Sequence, residues 1–219
     1  MVEKGQPWER PATGPADWQV DGDDATLAAA VRDHPGARVG FRPDPSSDLA
    51  RALGLHTSGA AGLELVVDAL RVVADGREAF AVNMVVVGVA PDRANWFTRA
   101  TKVRVEIDER VVHDGPANAV VVANGQYLRG NDVVPRGHPG DGRAEVQVYA
   151  VARGQRAGVR SRLPQGVHLP HPDIRQTVGR RVEIRAEGRP LPVEIDGVAA
   201  PPASLVTVEV LPAAFVLVV

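Results

Sequence analysis

The chain has 219 residues, with 25 Lys and Arg against 27 Asp and Glu, and its formal charge of −2 gives no global field for nucleic acid or an anionic membrane. It contains no cysteine, which excludes disulfides, thiolate zinc sites and cysteine nucleophiles, and its length is enough to bury a core without such staples. No basic run with stacking aromatics stands out, the opening "MVEKGQPWERPATGPADW" lacks the apolar core of a signal peptide, and no apolar run approaches the roughly 20 residues that span a bilayer. A cytoplasmic protein, or one peripheral at a membrane, is therefore expected, with no nucleic acid partner and no transmembrane segment.

Residues 1–16, rich in Pro, Gly and charge, read as a flexible arm. The stretch "WQVDGDDATLAAAVRDHPGARVGF" then places a short strand before an Asp-Asp helix start, an Ala-rich helix, a His-Pro-Gly stop and a second strand. In "DPSSDLARALGL", Ser46 is expected to cap a short helix that Gly54 closes. Residues 17–62 thus read as a small α/β unit. "GLHTSGAAG", Gly54 to Gly62, follows a helix, precedes a strand and lacks the Lys-Ser/Thr of a P-loop, so it reads as a connecting loop.

From Leu63 the period changes. Val-rich segments bounded by Gly, Pro, Asp or Asn follow one another to the end, and "KVRVEID" alternates cleanly, with Val103, Val105 and Ile107 on one face. Only "RGQRAGVRSRL", roughly residues 153–163, looks helical. The fold class is therefore α+β, mostly β: an antiparallel β-sandwich over residues 63–219 with a small N-terminal α/β unit.

Some residues suggest chemistry. "HLPH" spaces His168 and His171 as metal ligands can be spaced, with His138 as a third candidate, but no carboxylate pattern completes the set. Asp196-Gly197, between Ile195 and Val198, is a strong hairpin signal and also a lone acid delivered to a turn. Asp141 in "GDG" has the same two readings, a tight turn or an ion site.

The segment "GVHLPHPDIRQTVGRRVEIRAEGRPLPVEIDG" resembles the C-terminal half of the bacterial diacylglycerol kinase and related lipid kinase family, through Gly166, His168, His171, Pro172, Arg181 and Asp196-Gly197. Upstream, Asp141-Gly142, Asn124-Gly125 with Pro135, and Asn83 with Gly88 fall in step with that family in the same order. The resemblance implies a β-rich lipid-kinase domain behind a truncated remnant of the catalytic α/β domain. It also implies a substrate cleft near Ser46, Ser47, Asp48, Asn83 and Asn124, with Asp196 as the catalytic candidate and Asp141 as a metal candidate.

Three departures from the family pattern matter. Its Gly-Thr-Gly-Asn-Asp loop reads Asp44-Pro45-Ser46-Ser47-Asp48 here, its Gly-Gly-Asp-Gly-Thr segment is not found in these residues, and its Asp-Gly-Glu reads Asp196-Gly197-Val198. Glycine lets a backbone approach phosphate closely, and Pro45 removes a donor, so "DPSSD" is a better helix cap than a phosphate cradle. The expected function is a lipid-kinase-like protein with degenerate catalytic equipment that binds a lipid or a protein partner. The alternative is an active lipid kinase using ATP and Mg²⁺, alone or completed by a separate nucleotide-binding subunit.

Overall fold

The computed structural model describes residues 9–55 and 62–219. Strands β1 (Glu9–Pro11) and β2 (Trp18–Gly22) lead into helix α1 (Asp24–Val31), β3 (Arg38–Pro43) and helix α2 (Asp48–Ala52). The Asp-Asp start works as expected: the Asp23 carboxylate accepts the Thr26 N–H at 2.9 Å, and α1 buries Leu27, Ala28 and Val31. Strands β2 and β3 pair in parallel across α1, forming the predicted β-α-β unit.

Two sequence expectations change here. The segment foreseen as a loose arm is held from residue 9, because β1 pairs with the strand that begins at Leu63, and Thr13 donates to the Glu64 carboxylate through both its N–H and its hydroxyl. Residues 1–8 lie outside the described residues, as do His56 to Ala61 of the expected connecting loop. The cap of α2 is Ser47, whose hydroxyl accepts the Ala50 N–H at 3.1 Å. Ser46 is instead held by the Asp44 carboxylate, which accepts both its N–H and its hydroxyl.

The β-rich part runs through β4 (Leu63–Ala74), β5 (Arg77–Ala81), β6 (Met84–Gly88), β7 (Thr101–Ile107), β8 (Arg110–Ala117), β9 (Ala119–Ala123), β10 (Tyr127–Leu128), β11 (Asn131–Asp132) and β12 (Ala144–Tyr149). Helix α3 (Arg156–Arg162) follows where the sequence placed it, flanked by short 3-10 turns. The remaining strands are β13 (Ile174–Gly179), β14 (Arg181–Ala186), β15 (Leu191–Ile195), β16 (Val198–Ala203) and β17 (Leu205–Val218).

These strands make the expected sandwich. One sheet has nine strands along the path β1-β4-β17-β14-β7-β8, with β5 on β4 and the parallel β2–β3 pair joined to β17. The other has six, in the order β13-β12-β9-β6-β15-β16. In β7 the alternation holds: Val103, Val105 and Ile107 are buried while Lys102 is exposed. Strands β6 and β9 do not alternate, because both of their faces are covered. Val85, Val87, Val120 and Val122 pack between the sheets, whereas Met84, Val86, Ala119, Val121 and Ala123 pack on the far side with Val159 and Leu163. The α/β unit has its own core, and β4 and β17 feed both: Leu65, Val67, Phe215 and Leu217 lie in one cluster, Leu70, Val72, Val206 and Val208 in the other.

Candidate functional site

A cleft of about 180 Å³ opens where the α/β unit meets the second sheet, lined by Asp23, Asp24, Ser46, Asp48, Arg129, Asp196, Gly197 and Val198. Its acids arrive on three separate elements: the start of α1, the start of α2, and the turn between β15 and β16.

Asp196 and Gly197 both have positive φ, 47° and 80°, as a two-residue hairpin turn requires. The turn stands beside the bend at Val82-Asn83, where the chain leaves the first sheet on β5 and enters the second on β6. The Asp196 carboxylate accepts the N–H groups of Val82 at 2.8 Å, Asn83 at 3.0 Å and Met84 at 2.8 Å, while its own N–H donates to the Met84 carbonyl. The carboxylate is therefore a clasp on the crossing between the two sheets. Burial, with the charge of Asp24 nearby, pushes its pKa up to about 7 against the pull of those three donors.

Asn83 and Asn124 belong to the same clasp and do not line the cleft. Both are buried. The Asn124 amide donates to the carbonyls of Asp68 and Val82, and the backbone N–H groups of Asn124 and Gly125 both reach the Asn83 carbonyl. A Cβ at Gly125 would stand 2.1 Å from Asn83 Oδ1, so this close approach requires glycine. The resemblance implied a substrate cleft near both asparagines; the structure places their amide N–H groups on backbone carbonyls at the crossing, outside the lining of the cleft.

The other acids are also engaged. Asp24 accepts the Ser47 hydroxyl at 2.5 Å and the Leu49 N–H at 3.0 Å, tying the start of α1 to the start of α2, and burial pushes it up to about 6. Asp48 accepts the backbone N–H groups of Arg129 and Gly130, fastening α2 to the β10–β11 hairpin; burial raises its pKa despite those donors. Arg129 grips Asp92 through two nitrogens at 2.8 and 2.7 Å and also bonds Glu194. Although burial pulls it down, these carboxylates hold Arg129 above its usual value.

The structure thus brings Ser46, Asp48 and Asp196 together at one cleft, with Ser47 buried behind it. Asp141 lies elsewhere, exposed in a loop, accepting the Arg143 N–H as a turn residue does. The three histidines are each taken up locally. His138 accepts the Gly140 N–H and His171 the Asp173 N–H, while buried His168 stacks on Tyr149 and is driven down to about 4 by burial. Among the described residues, no group of three or more His, Asp or Glu side chains is placed to hold a metal ion. Sequence reasoning missed Asp24 and Arg129. The doubled Asp at the helix start was the only signal for the first, and nothing local marked the second.

Beside the cleft, sharing Asp196 and Val198, runs a mainly apolar groove of about 270 Å³ whose lining includes Ala25, Ala28, Ala29, Phe80, Ile195 and Ala199. Among the described residues, no helix is long and apolar enough to cross a membrane.

Residues 92–219 match the family model described as the YegS C-terminal NAD kinase beta sandwich-like domain. A structure from Bacillus anthracis str. Sterne aligns with a TM-score of 0.72 at 17% identity, covering 92% of this chain and 78% of that one. A diacylglycerol kinase from the same strain aligns with a TM-score of 0.69 at 20% identity, over 92% and 76% of the two chains. An NAD kinase from Archaeoglobus fulgidus, in complex with ATP, aligns with a TM-score of 0.52 at 13% identity, over 93% and 78%. These similarities are of fold. A search of curated proteins finds no significant match.

Proposed function

Because the chain belongs to the YegS C-terminal, NAD kinase β-sandwich-like family of diacylglycerol and lipid kinases, we propose that it is a kinase-like protein without working phosphoryl-transfer equipment, which binds a lipid or a protein partner. The observation that carries this reading is the state of the α2 helix start. Phosphoryl transfer needs backbone N–H groups free to cradle phosphate and carboxylates free to hold Mg²⁺. Here the Leu49 N–H is taken by Asp24 and the Ala50 N–H by Ser47. Asp23, Asp24, Asp48 and Asp196 all accept protein hydrogen bonds, and the guanidinium of Arg129 faces Asp92 and Glu194. With these donors and carboxylates already engaged within the protein, the cleft offers a Mg-nucleotide no ready cradle.

Lipid is favoured as the small-molecule class by the apolar groove beside the cleft. At the junction of groove and cleft sits Val198, 53% exposed, where the family pattern has a glutamate. A half-exposed valine cannot take a proton from a hydroxyl, but it can line a path for an acyl chain.

The competing reading, an active ATP-dependent lipid kinase, alone or with a separate nucleotide-binding subunit, draws on one observation. Asp24 and Asp196, raised to about 6 and about 7, share a cleft, and a carboxylate near neutral pKa suits general base work. Thermal unfolding with Mg-ATP, Mg-ADP and Mg²⁺ alone separates the two for the isolated chain. A ligand at a hundred times its Kd adds about 2.7 kcal/mol, a shift of roughly 5–10 °C at this size. No shift is expected. A rise with both nucleotides but not with Mg²⁺ alone overturns the degenerate reading.

A further inference from the structure

The loop between β6 and β7 carries the most exposed aromatic residues described: Trp96 is 60% and Phe97 86% exposed. Adjacent large aromatics held in water are costly unless something covers them. The loop is not slack. Asn95 Oδ1 accepts the Phe97 N–H at 2.9 Å, and Thr98 Oγ1 accepts the Asn95 N–H at 3.0 Å. From helix α3, the buried Arg156 donates to the carbonyls of Asn95 at 2.8 Å and Thr98 at 2.6 Å, and Arg160 to that of Ala94 at 2.9 Å. The two rings therefore project from a braced tip and need little ordering on contact.

The surroundings are basic although the whole chain is not. No acid occurs from residue 93 to 105 or from 146 to 172, and the second stretch holds Arg153, Arg156, Arg160 and Arg162. Arg99, Arg153, Arg160 and Arg162 are exposed. Arg93 bonds Glu194, which also bonds the Arg129 of the cleft. Trp96 follows Arg93 by three positions, so the tip stands at most about 11 Å of chain from Arg93.

We propose that Trp96 and Phe97, with the exposed Arg153 of the turn before α3 and Arg160 and Arg162 of α3, form a docking surface for an anionic lipid bilayer. Aromatic rings settle at the headgroup level, and arginines beside them meet lipid phosphate. Charge complementarity selects this occupant: a braced aromatic tip whose own segment and the α3 segment carry exposed Arg99, Arg153, Arg160 and Arg162 and no acid matches an anionic surface. The proposal deepens the lipid-binding reading and draws its purpose from it. Its test uses neither nucleotide nor cleft, so the two can fail separately.

The test is flotation of the full chain with phosphatidylcholine vesicles, with and without one part in three of phosphatidylglycerol. It is run at about 0.1 M and about 1 M salt, across which the screening length falls from about 10 to about 3 Å. Binding is expected only to the anionic vesicles and only at low salt. Trp96→Ala with Phe97→Ala lowers the binding constant about tenfold or more, with an unchanged melting temperature because both side chains are exposed. Arg153→Gln and Arg162→Gln each lower it about fivefold. Brominated lipid quenches tryptophan fluorescence in the wild type and much less in Trp96→Phe. Three results overturn the proposal: no binding to anionic vesicles at low salt, equal binding by the double variant, or a concentration-dependent dimer that the double variant disperses. The last would make the tip a contact between two copies of the chain.

Discussion

Removing the Asp196 carboxylate tests whether this acid is structural. In Asp196→Ala the N–H groups of Val82, Asn83 and Met84 lose their acceptor at the crossing between the sheets. Each orphaned donor costs about 1–3 kcal/mol, and because the turn edges a cleft that water can enter, the lower part of that range applies, about 3–5 kcal/mol in all. That is a large share of the 5–15 kcal/mol, or thereabouts, that holds a typical domain together. With a urea slope of roughly 2–3 kcal/mol/M, the unfolding midpoint falls by about 1–2 M. Asp196→Asn keeps one oxygen for Asn83 and Met84 but turns an amide donor toward the Val82 N–H, so its loss is intermediate, about 2–3 kcal/mol. Urea denaturation followed by circular dichroism reads both variants. A midpoint within about 0.3 M of wild type for Asp196→Ala would show that the three hydrogen bonds do not hold the crossing, and the clasp reading would fail.

Stability should also peak on the acid side of neutrality. Asp24 and Asp196 bind their protons more tightly folded than unfolded, so stability falls as pH rises from about 4 through their folded values of about 6 and about 7. Glu64 works the other way: hydrogen bonds from Arg38 and Thr13 hold it near about 2, so its contribution is complete above 4.5 and lost as pH falls. Urea midpoints should be highest near about pH 5, with a flatter upper limb in Asp196→Asn; a steady climb from about pH 5 to about pH 8 would contradict this. Gly125→Ala should cost about 1–3 kcal/mol, because the new methyl must displace Asn83 from its bond to the Tyr127 carbonyl, and calorimetry showing an unchanged melting temperature would argue against that close approach.

The β-sandwich was legible because its strands alternate: Val103, Val105 and Ile107 announced a half-buried face without help from any other segment. The doubly covered strands were legible as Val-rich runs, though not which layers cover them. The site was harder to read, since its acids act over long sequence separations. Asp24 meets Leu49 across 25 residues, Arg129 meets Asp92 across 37, and Asp196 meets Val82 across 114. The Asp196-Gly197 turn was correctly foreseen, but what its carboxylate holds depends on a bend in a distant segment. The cap of α2 was displaced by one residue because Asp44 competes for Ser46, a local rivalry that capping preference alone does not rank. Trp96 and Phe97 passed unnoticed because an aromatic pair in a sequence is most simply read as core, and only the folded chain leaves it outside.

Strand β17 pairs with β3, β4 and β14 and contributes to both cores. On a ribosome adding about 5–20 residues per second, the stretch from β1 to β17 takes roughly 10–40 seconds to emerge, and neither core can close before its end. Throughout that interval β6 and β9, apolar on both faces, have no complete shelter. Birth, more than the mature state, is when these apolar faces stand open to aggregation.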